Sequence, residues 1–372
     1  RDIQKTVEEL ADPYSQKMKN LGIHNLAVLV VDTKSGEVKS YLGSQNYFDS
    51  LQGQVDGVKA RRSTGSLLKP FLVERILKQG PFTLHSKIQD VPTHYGAFSP
   101  QNAHKNFRGL ADLKETLVHS LNVPSIRLLN YYGVEKFYFD LQRWGLQGLF
   151  RKPSEYGLPL ILGGAEASLW ELVQMYTHLA NYGDAKWLVD QHDTGKRNRS
   201  QLMDSLASYQ VIETLSQLHR PGSEFYWQDF GSEKIAWKTG TSYGQKDAWA
   251  IGLNPNWVVG VWVGNFTGEG NAESGGAKTA APLLFQMVRA LQPAEEWFSK
   301  PFEGNTLEIC SQSGYMASKH CPSTRSVEVP HGRSKNLACP YHQSYWVEEA
   351  SGEQINSTCW KGKTRKKINM LN

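Results

Sequence analysis

Two groups of β-rich segments stand on either side of a long helical stretch, and this order limits the folds that the chain can adopt. The first group is a predicted hairpin at 25–31 and 37–42, around a Gly-containing turn. The second is a predicted meander with strands at 235–242, 248–253 and 257–263. Because sequential strands usually pair, both groups are expected to share one antiparallel sheet. The chain is therefore predicted to be an α+β protein, with helices segregated from that sheet.

Helical periodicity marks most of the remaining chain. The predicted helices are 1–20, 67–77, 113–120, 125–132, 134–144, 169–181, 206–218 and 279–291. Residues 184–200 are polar and are interpreted as an insertion or exposed loop. A length of 372 residues allows one large domain and one small domain.

The cysteines mark the small domain. All of them follow residue 309, at Cys310, Cys321, Cys339 and Cys359. This clustering predicts a main domain at 1–300 and a separate Cys-containing C-terminal module at 301–372.

Net charge and hydropathy limit the partners that the chain is expected to bind and the segments that could span a membrane. The net charge of +5 is small and no nucleic-acid motif is present, so nucleic acid is not an expected partner. No apolar run approaches the ~18 residues of a membrane span. The chain begins with Arg1 rather than Met, which leads us to expect a processed or truncated piece of a longer protein.

The first candidate for chemistry is Ser66-Leu67-Leu68-Lys69. Positions i and i+3 share one face of a helix, so the Ser66 hydroxyl and the Lys69 amine can meet there. A serine nucleophile needs an adjacent base. A lysine can be that base when burial or another cation destabilises its ammonium form. A helix cap followed by an exposed lysine is the alternative interpretation of so short a motif.

A second candidate is Ser120-Leu121-Asn122, at the end of a predicted helix. Its hydroxyl could relay a proton and its amide could hold a substrate amide. A polar turn after a helix is the alternative.

The third candidate is Lys238-Thr239-Gly240-Thr241-Ser242, on a predicted strand. Lys238 and the threonine hydroxyls could bind a carboxylate, and Gly240 permits close approach of a ligand. The N–H groups of Ser66 and Thr241 could form an oxyanion hole. An edge strand protected by a lysine is the alternative.

Together the motifs Ser-x-x-Lys, Ser-x-Asn and Lys-Thr-Gly resemble those of β-lactamases and penicillin-binding proteins. The chain is similar to the transpeptidase domain of class A penicillin-binding proteins over roughly residues 20–295. The segments that carry the similarity are 53–56, 62–71, 100–102, 107–109, 120–124, 158–164 and 238–242. The tail, with Cys310, Cys321 and Cys339-Pro-Tyr-His342, is similar to the penicillin-binding protein 1C type.

This resemblance implies a penicillin-binding/serine β-lactamase-like domain, with a five-stranded antiparallel sheet flanked by helices. It implies a peptidoglycan D,D-transpeptidase in which a D-Ala-D-Ala stem peptide, or a β-lactam, acylates Ser66. Lys69 would be the base, and Ser120 would relay protons to the leaving amine. The implied substrate-binding residues are Asn122 for the amide and Lys238, Thr239 and Thr241 for the terminal carboxylate.

The resemblance also implies a cellular location and a larger protein. The full-length protein is expected to be membrane-anchored, with an upstream glycosyltransferase domain. It would act in the periplasm or on the extracytoplasmic side of the bacterial inner membrane. Other cell-wall synthesis proteins are further candidate partners, and no cofactor is expected.

For the C-terminal module, disulfides are predicted because a cell-wall enzyme works where disulfides persist. Proximity alone suggests Cys310–Cys321 and Cys339–Cys359. The alternative is a zinc site of Cys310, Cys321, Cys339 and His342. Cys339-x-x-His342 has ligand spacing, but the separation of Cys310 from Cys321 is wide for a zinc knuckle.

Alternative functions stay open at the same site. A D,D-carboxypeptidase or a β-lactamase would use water as the acceptor, and class A β-lactamases activate that water with a Glu. Glu155, Glu166 and Glu171 are available but lie in no such loop motif, so slow deacylation is expected. A non-catalytic sensor of β-lactams or muropeptides is the other alternative.

Overall fold

The computed structural model of the chain describes residues 2–48, 53–189, 200–218, 234–333, 336–355 and 365–371. Most of the predicted insertion at 184–200 and all of Cys359 lie outside these ranges. The α-helices of the described residues are α1 (Asp2–Lys19), α2 (Lys69–Gln79), α3 (Leu113–Val118), α4 (Asn122–Tyr132), α5 (Val134–Arg143), α6 (Pro153–Tyr156), α7 (Leu169–Ala180), α8 (Ser205–Leu215) and α9 (Ala281–Ala290).

The strands lie near the N-terminus, between α8 and α9 and in the C-terminal region, with short pairs between the other helices. They are β1 (Asn25–Asp32), β2 (Val38–Leu42), β3 (Arg62–Ser63), β4 (Lys87–Asp90), β5 (Gly109–Asp112), β6 (Glu166–Ala167), β7 (Ala236–Thr241), β8 (Asp247–Leu253), β9 (Trp257–Gly264), β10 (Asn305–Cys310), β11 (Thr324–Val329), β12 (His342–Glu348), β13 (Gln354–Ile355) and β14 (Arg365–Leu371).

The predicted sharing of one sheet by the hairpin and the meander is confirmed. The order is β2-β1-β9-β8-β7, and every neighbouring pair is antiparallel. The first and last members of the sheet in sequence, β1 and β9, pair in its centre, from Asn25 opposite Gly264 to Asp32 opposite Trp257. This leaves β7, which carries the Lys-Thr-Gly motif, at one edge.

Helices cover both faces of the sheet, which explains why β1, β8 and β9 are almost continuously apolar. Gly252 on β8 faces Leu284 of α9. Gly252 pairs with Val259 of β9. The next residue along β9, Gly260, therefore lies on the opposite face of the sheet, against Val173 of α7. Helix α1 packs with α9, while α7 packs with α8. The sheet is therefore the middle layer of the main domain.

The pairs β3–β6 and β4–β5 were not predicted, because segments of two to four residues carry too little periodicity to be recognised. The β3–β6 pair places Ser63 opposite Glu166, directly before the first motif.

The C-terminal residues form two small sheets, β10–β11 and β13–β12–β14. Residues 311–315 of this region contact residues 82–87 of the main domain through several hydrogen bonds. The division at residue 300 remains a prediction. None of the helices in the described residues combines the length and the apolarity that crossing a membrane would need.

Candidate active site

The segment 63–68, here called the Ser66 turn, leads into α2. The helix begins at Lys69, later than the predicted start at residue 67, and Pro70 occupies its first turn. The backbone N–H of Lys69 donates to the carbonyl oxygen of Ser66 at 3.3 Å. Ser66 therefore lies in the tight turn that precedes the helix, half-buried, rather than on the helix itself.

Two buried aromatic side chains hold the Ser66 turn in place through hydrogen bonds. The indole N–H of Trp249 donates to the carbonyl oxygen of Ser63 at 2.8 Å. The hydroxyl of Tyr176, on α7, donates to the carbonyl oxygen of Leu67 at 2.9 Å. Both aromatic side chains are fully buried. Because these anchors come from β8 and α7, the position of the turn is set by the packing of the main domain.

Two glycines allow the Ser66 turn to lie directly against β7. Gly65 has φ +53°, and a Cβ added to it would lie 2.6 Å from the backbone nitrogen of Thr241. A Cβ on Gly240 would lie 2.6 Å from the carbonyl oxygen of Thr64. Side chains at either position would push the turn and the strand apart, because the built contacts are well below van der Waals distance.

Lys69 is 2% exposed, and its amine points across to the second motif. Its Nζ donates to the carbonyl oxygen of Ser120 and to Oδ1 of Asn122, both at 2.7 Å. Oγ of Ser120 lies 3.4 Å away. Burial, together with the charge of Lys238, holds the pKa of Lys69 well below its usual value.

Lys238 reaches the same hydroxyl from β7. It is 1% exposed, and its Nζ donates to Oγ of Ser120 and to the carbonyl oxygen of Thr239, each at 2.9 Å. Burial lowers the pKa of this amine to about 7. A protective lysine on an edge strand would be solvated, so the burial of Lys238 argues against that interpretation.

Ser120 sits between the two amines in an uncommon backbone conformation. Its φ is +52°, a left-handed value that costs a non-glycine residue about 1 kcal/mol or more. The residue occupies the short connection between α3 and α4. This conformation presents both its carbonyl oxygen and its hydroxyl to the lysines.

Asn122 is held by a buried polar group beneath it. The backbone N–H of Asn122 donates to Oδ1 of Asn102 at 2.9 Å, while Nδ2 of Asn102 donates to both carboxylate oxygens of Asp90. Nδ2 of Asn122 donates to the carbonyl oxygen of Gln101 at 2.8 Å. The amide of Asn122 is thus oriented with its oxygen towards Lys69.

The threonines of the third motif lie on the other side of β7 from Lys238, as the alternation of a strand requires. The backbone N–H of Gly276 donates to Oγ1 of Thr241 at 3.0 Å, and Gly276 also lies against Cβ of Thr239. The structure therefore brings the Ser66 turn, Lys69, Ser120, Asn122 and Lys238 together, while both threonine side chains face the loop at residue 276.

Comparison with known proteins agrees with this geometry. A family profile described as the penicillin-binding protein transpeptidase domain matches residues 26–287, well over half of the chain. The chain belongs to the penicillin-binding protein transpeptidase family. Penicillin-binding protein 1C of Escherichia coli is 36% identical over 290 residues, which is 78% of this chain and 37% of that protein. Penicillin-binding protein 1A of Neisseria flavescens is 28% identical over 70% of this chain and 35% of its own length.

Solved structures of penicillin-binding proteins share the fold. Penicillin-binding protein 1A from Haemophilus influenzae has a TM-score of 0.67 at 20% identity, over 84% of this chain and 54% of that chain. The protein PonA1 from Mycobacterium tuberculosis, in complex with penicillin V, has a TM-score of 0.66 at 20% identity, over 84% and 88%. The predicted fold class is confirmed. The chain spans little more than a third of the length of the curated relatives quoted above.

Several residues that shape this penicillin-binding protein site were not assigned a role from the sequence. Tyr176 and Trp249 are apolar-patterned aromatics whose polar atoms find the Ser66 turn only in the folded chain. Asn102 belongs to a segment that carries the family resemblance, which is the one signal that could have singled it out. Asp90 lies on β4, a strand that was itself not predicted.

The cysteines depart from the predicted pairing. Among the described residues Cys310, Cys321 and Cys339 form no disulfide with one another, so the predicted Cys310–Cys321 pair is not present in this structure. Their sulfur atoms and a ring nitrogen of His342 all lie within 4.8 Å of one another. The β10–β11 hairpin brings Cys310 and Cys321 together, and the segment leading into the start of β12 adds Cys339 and His342 at the same point. The predicted pairing of Cys339 with Cys359 involves a residue outside the described ranges.

Proposed function

We propose that this chain is a peptidoglycan D,D-transpeptidase, a serine acyltransferase that cross-links stem peptides through an acyl-enzyme on Ser66. The observation that carries the proposal is the pair of buried amines, Lys69 and Lys238, that meet at the hydroxyl of Ser120 beside the Ser66 turn. Burying two like charges is unfavourable, so the arrangement keeps an amine neutral at neutral pH. A neutral amine is what a serine nucleophile requires of a lysine base.

Lys69 is the base in this proposal. A neutral amine has two N–H bonds and one lone pair, and the carbonyl oxygen of Ser120 and Oδ1 of Asn122 satisfy both N–H bonds. The lone pair is then left to accept the proton of Ser66 as its Oγ attacks the carbonyl carbon of the penultimate D-Ala. The new Oγ–C bond and the oxyanion form together, and Lys69 becomes an ammonium.

The oxyanion would be held by the backbone N–H groups of Ser66 and Thr241. The nitrogen of Thr241 is the nearest heavy atom to a Cβ built on Gly65, so this edge of β7 adjoins the Ser66 turn. Donors of this kind contribute about 3–4 kcal/mol each to acyl transfer.

Collapse of the tetrahedral intermediate breaks the C–N bond and needs a proton on the leaving amine. Oγ of Ser120 accepts from Lys238 and lies 3.4 Å from Lys69, so it can pass the proton from Lys69 to the departing D-Ala. An amine of a neighbouring stem peptide then attacks the Ser66 ester, and Oγ of Ser66 regains its proton. β-Lactams would acylate Ser66 by the same attack.

Carboxylate recognition is proposed for Lys238, together with the backbone around Gly240. The side chains of Thr239 and Thr241 face Gly276, so their proposed part in binding the carboxylate requires a rotation of the hydroxyls or of the loop at residue 276. Asn122 is proposed to bind the substrate amide through its side chain.

Hydrolysis of the acyl-enzyme is proposed to be slow. Glu171 uses one carboxylate oxygen to accept from the N–H of Ser168 and the other to accept from the N–H of Gln147. Glu155 accepts from the N–H of Lys152. These carboxylates accept hydrogen bonds from backbone N–H groups at helix ends and in loops. This use of the carboxylates supports a transpeptidase rather than a β-lactamase that activates water.

The cellular setting follows from the relatives. We propose that the chain acts on the extracytoplasmic side of the bacterial inner membrane, as part of a membrane-anchored protein with a glycosyltransferase domain. Peptidoglycan stem peptides, and other cell-wall synthesis proteins, are its proposed partners.

The test is a transpeptidation assay with a stem peptide ending in D-Ala-D-Ala and an amine acceptor. The expected result is a cross-linked product and released D-Ala with the unchanged chain, and neither with Ser66→Ala. Ser63→Ala, in the same turn, is the matched control and should retain activity. Repeated release of D-Ala without cross-linking would identify a carboxypeptidase, and release of a single D-Ala per chain that leaves Ser66 acylated would identify a sensor.

A further inference from the structure

We propose that Cys310, Cys321, Cys339 and His342 bind a structural zinc ion. This ion fixes the loop between β10 and β11, which contacts the transpeptidase domain. This site is separate from the Ser66 site, and its test does not depend on activity there. The inference rests on the positions of the ligand atoms, the hydrogen bonds around them and the contacts of the loop.

The distances between ligand atoms fit one tetrahedral ion. Sγ of Cys310 and Sγ of Cys339 lie 3.4 and 3.3 Å from Nδ1 of His342. The four ligand atoms, including Sγ of Cys321, all lie within 4.8 Å of one another. With Zn–S bonds of about 2.3 Å and Zn–N bonds of about 2.0–2.1 Å, a tetrahedral zinc ion separates its ligand atoms by about 3.5–3.8 Å. The two sulfur–nitrogen distances need to lengthen slightly, and the widest separations need to shorten by no more than about 1 Å.

The histidine is oriented for metal binding. Nε2 of His342 lies 2.9 Å from Oε1 of Gln312, which can only accept a hydrogen bond. The ring proton is therefore on Nε2, and the lone pair of Nδ1 points at the sulfurs. A hydrogen bond from the second ring nitrogen to an oxygen is the usual support of a metal-bound histidine. A disulfide joins two sulfur atoms and would not require an imidazole beside them.

The fold removes the objection that Cys310 and Cys321 are too far apart in sequence. Pairing of β10 with β11 places Cys310 opposite Thr324, so the loop that contains Cys321 returns to the end of β10. The backbone N–H of Cys339 donates to the carbonyl oxygen of Met316 at 2.8 Å, which attaches the third ligand to the middle of the same loop. His342 follows three residues later.

The surroundings are those of a closed, structural site. Cys310, Cys339 and His342 are buried, and four protein ligands leave no position for a substrate. The N–H of Ser318 donates to Sγ of Cys321 at 3.3 Å, a contact that stabilises a thiolate. Sulfur and imidazole ligands select zinc over calcium or magnesium.

The loop between the ligands contacts the transpeptidase domain through several hydrogen bonds. The hydroxyl of Thr83 donates to the carbonyl oxygen of Gly314 at 2.8 Å. The backbone N–H of Lys87 donates to the carbonyl oxygen of Ser313 at 2.9 Å. The hydroxyl of Tyr315 donates back to the carbonyl oxygen of Lys87 at 3.1 Å. A zinc ion that holds both ends of the loop would fix this contact.

The first experiment measures metal and thiols in the full chain, purified without chelator from an oxidising compartment. Elemental analysis should find about one zinc per chain, and native mass spectrometry should show the matching mass increase. Cys321→Ser should lower the zinc content to less than about a fifth of that value. Cys359→Ser is the matched control, since the proposal gives Cys359 no role, and it should keep its zinc.

A second experiment guards against misfolding of the variants. The unchanged chain is stripped of metal by chelator and reductant and then titrated with Co²⁺, which should give the intense near-ultraviolet absorption of thiolate bound to cobalt. Addition of Zn²⁺ should remove this absorption and raise the melting temperature. Chains that contain no zinc and a Cys310–Cys321 or Cys310–Cys339 disulfide, or that give no cobalt–thiolate absorption, would overturn the proposal.

Discussion

Substitution of Gly240 by alanine is expected to displace the Ser66 turn without removing any side chain that is proposed to act in catalysis or binding. The added Cβ would lie 2.6 Å from the carbonyl oxygen of Thr64 and 2.9 Å from Cγ of Leu67, whereas ordinary contact begins at 3.4 Å. The turn must therefore retreat by 3.4 − 2.6 = 0.8 Å, or the strand must yield by the same distance. A displacement of about 1 Å can cost an enzyme on the order of 100-fold in rate.

We therefore expect Gly240→Ala to slow acylation by a fluorescent penicillin by about 10- to 100-fold. Overpacking of this kind costs about 1–3 kcal/mol of stability, so the variant should still fold. The acylation rate is measured at several penicillin concentrations under pseudo-first-order conditions, with a thermal melt of each protein.

Gly275→Ala is the matched control for this substitution. No atom of the described residues lies within 4 Å of a Cβ built on Gly275, although the residue adjoins the same strand through Gly276. Its acylation rate should stay within about twofold of the original, as expected for an uncrowded position. A folded Gly240→Ala variant that acylates as fast as this control would refute the claim that close approach of β7 positions Ser66.

Four further predictions concern the groups around the turn. Since Lys69 must be neutral to accept a proton, acylation should slow as pH falls, and a rate that does not depend on pH would argue against a lysine base. The pKa of Lys238 falls from 10.5 in the unfolded chain to about 7 in the folded one, so the unfolded chain binds more protons between these values. The free energy of unfolding should rise with pH across this window, and Lys238→Met should flatten that rise in urea titrations. Ser120→Ala should slow release of D-Ala by about 100-fold or more in a chain that still folds, and an unaffected rate would remove the proposed relay. Tyr176→Phe leaves a buried carbonyl oxygen of the Ser66 turn unpaired and should cost about 1–3 kcal/mol in urea unfolding as well as slow acylation. Tyr182→Phe also loses a hydroxyl-to-carbonyl bond, but far from the turn, and should leave acylation unchanged.

Much of the main domain could be predicted from periodicity. The predicted helix at 134–144 corresponds to α5 (Val134–Arg143), and the predicted strand at 257–263 corresponds to β9 (Trp257–Gly264). Long amphipathic helices and continuously apolar strands carry their signal in local sequence. The sharing of one sheet by the hairpin and the meander was also predicted, whereas the pairing of β1 with β9 within it was not.

The site was predictable only in part. The three motifs could be found in the sequence, but the left-handed conformation of Ser120 and the burial of Lys238 depend on contacts between distant segments. The start of α2 at Lys69 shows how a proline in the first turn can fix a helix end where periodicity alone suggested an earlier one.

The C-terminal module was the least predictable part of the chain. Its strands are short and largely exposed, so they lack the apolar alternation that identifies a half-buried strand. The convergence of Cys310 and Cys321 with His342 depends on a hairpin that was not predicted. Without that hairpin, proximity in sequence favoured a disulfide.

The most direct test of the account is to locate the acyl group after reaction with penicillin. The purified chain is incubated with a fluorescent penicillin, digested and examined by peptide mass spectrometry, with Ser66→Ala as the control. One stable adduct is expected on the peptide that contains Ser66, and none in the variant. An adduct on a different residue, or equal labelling of the variant, would contradict the assignment of Ser66 as the nucleophile.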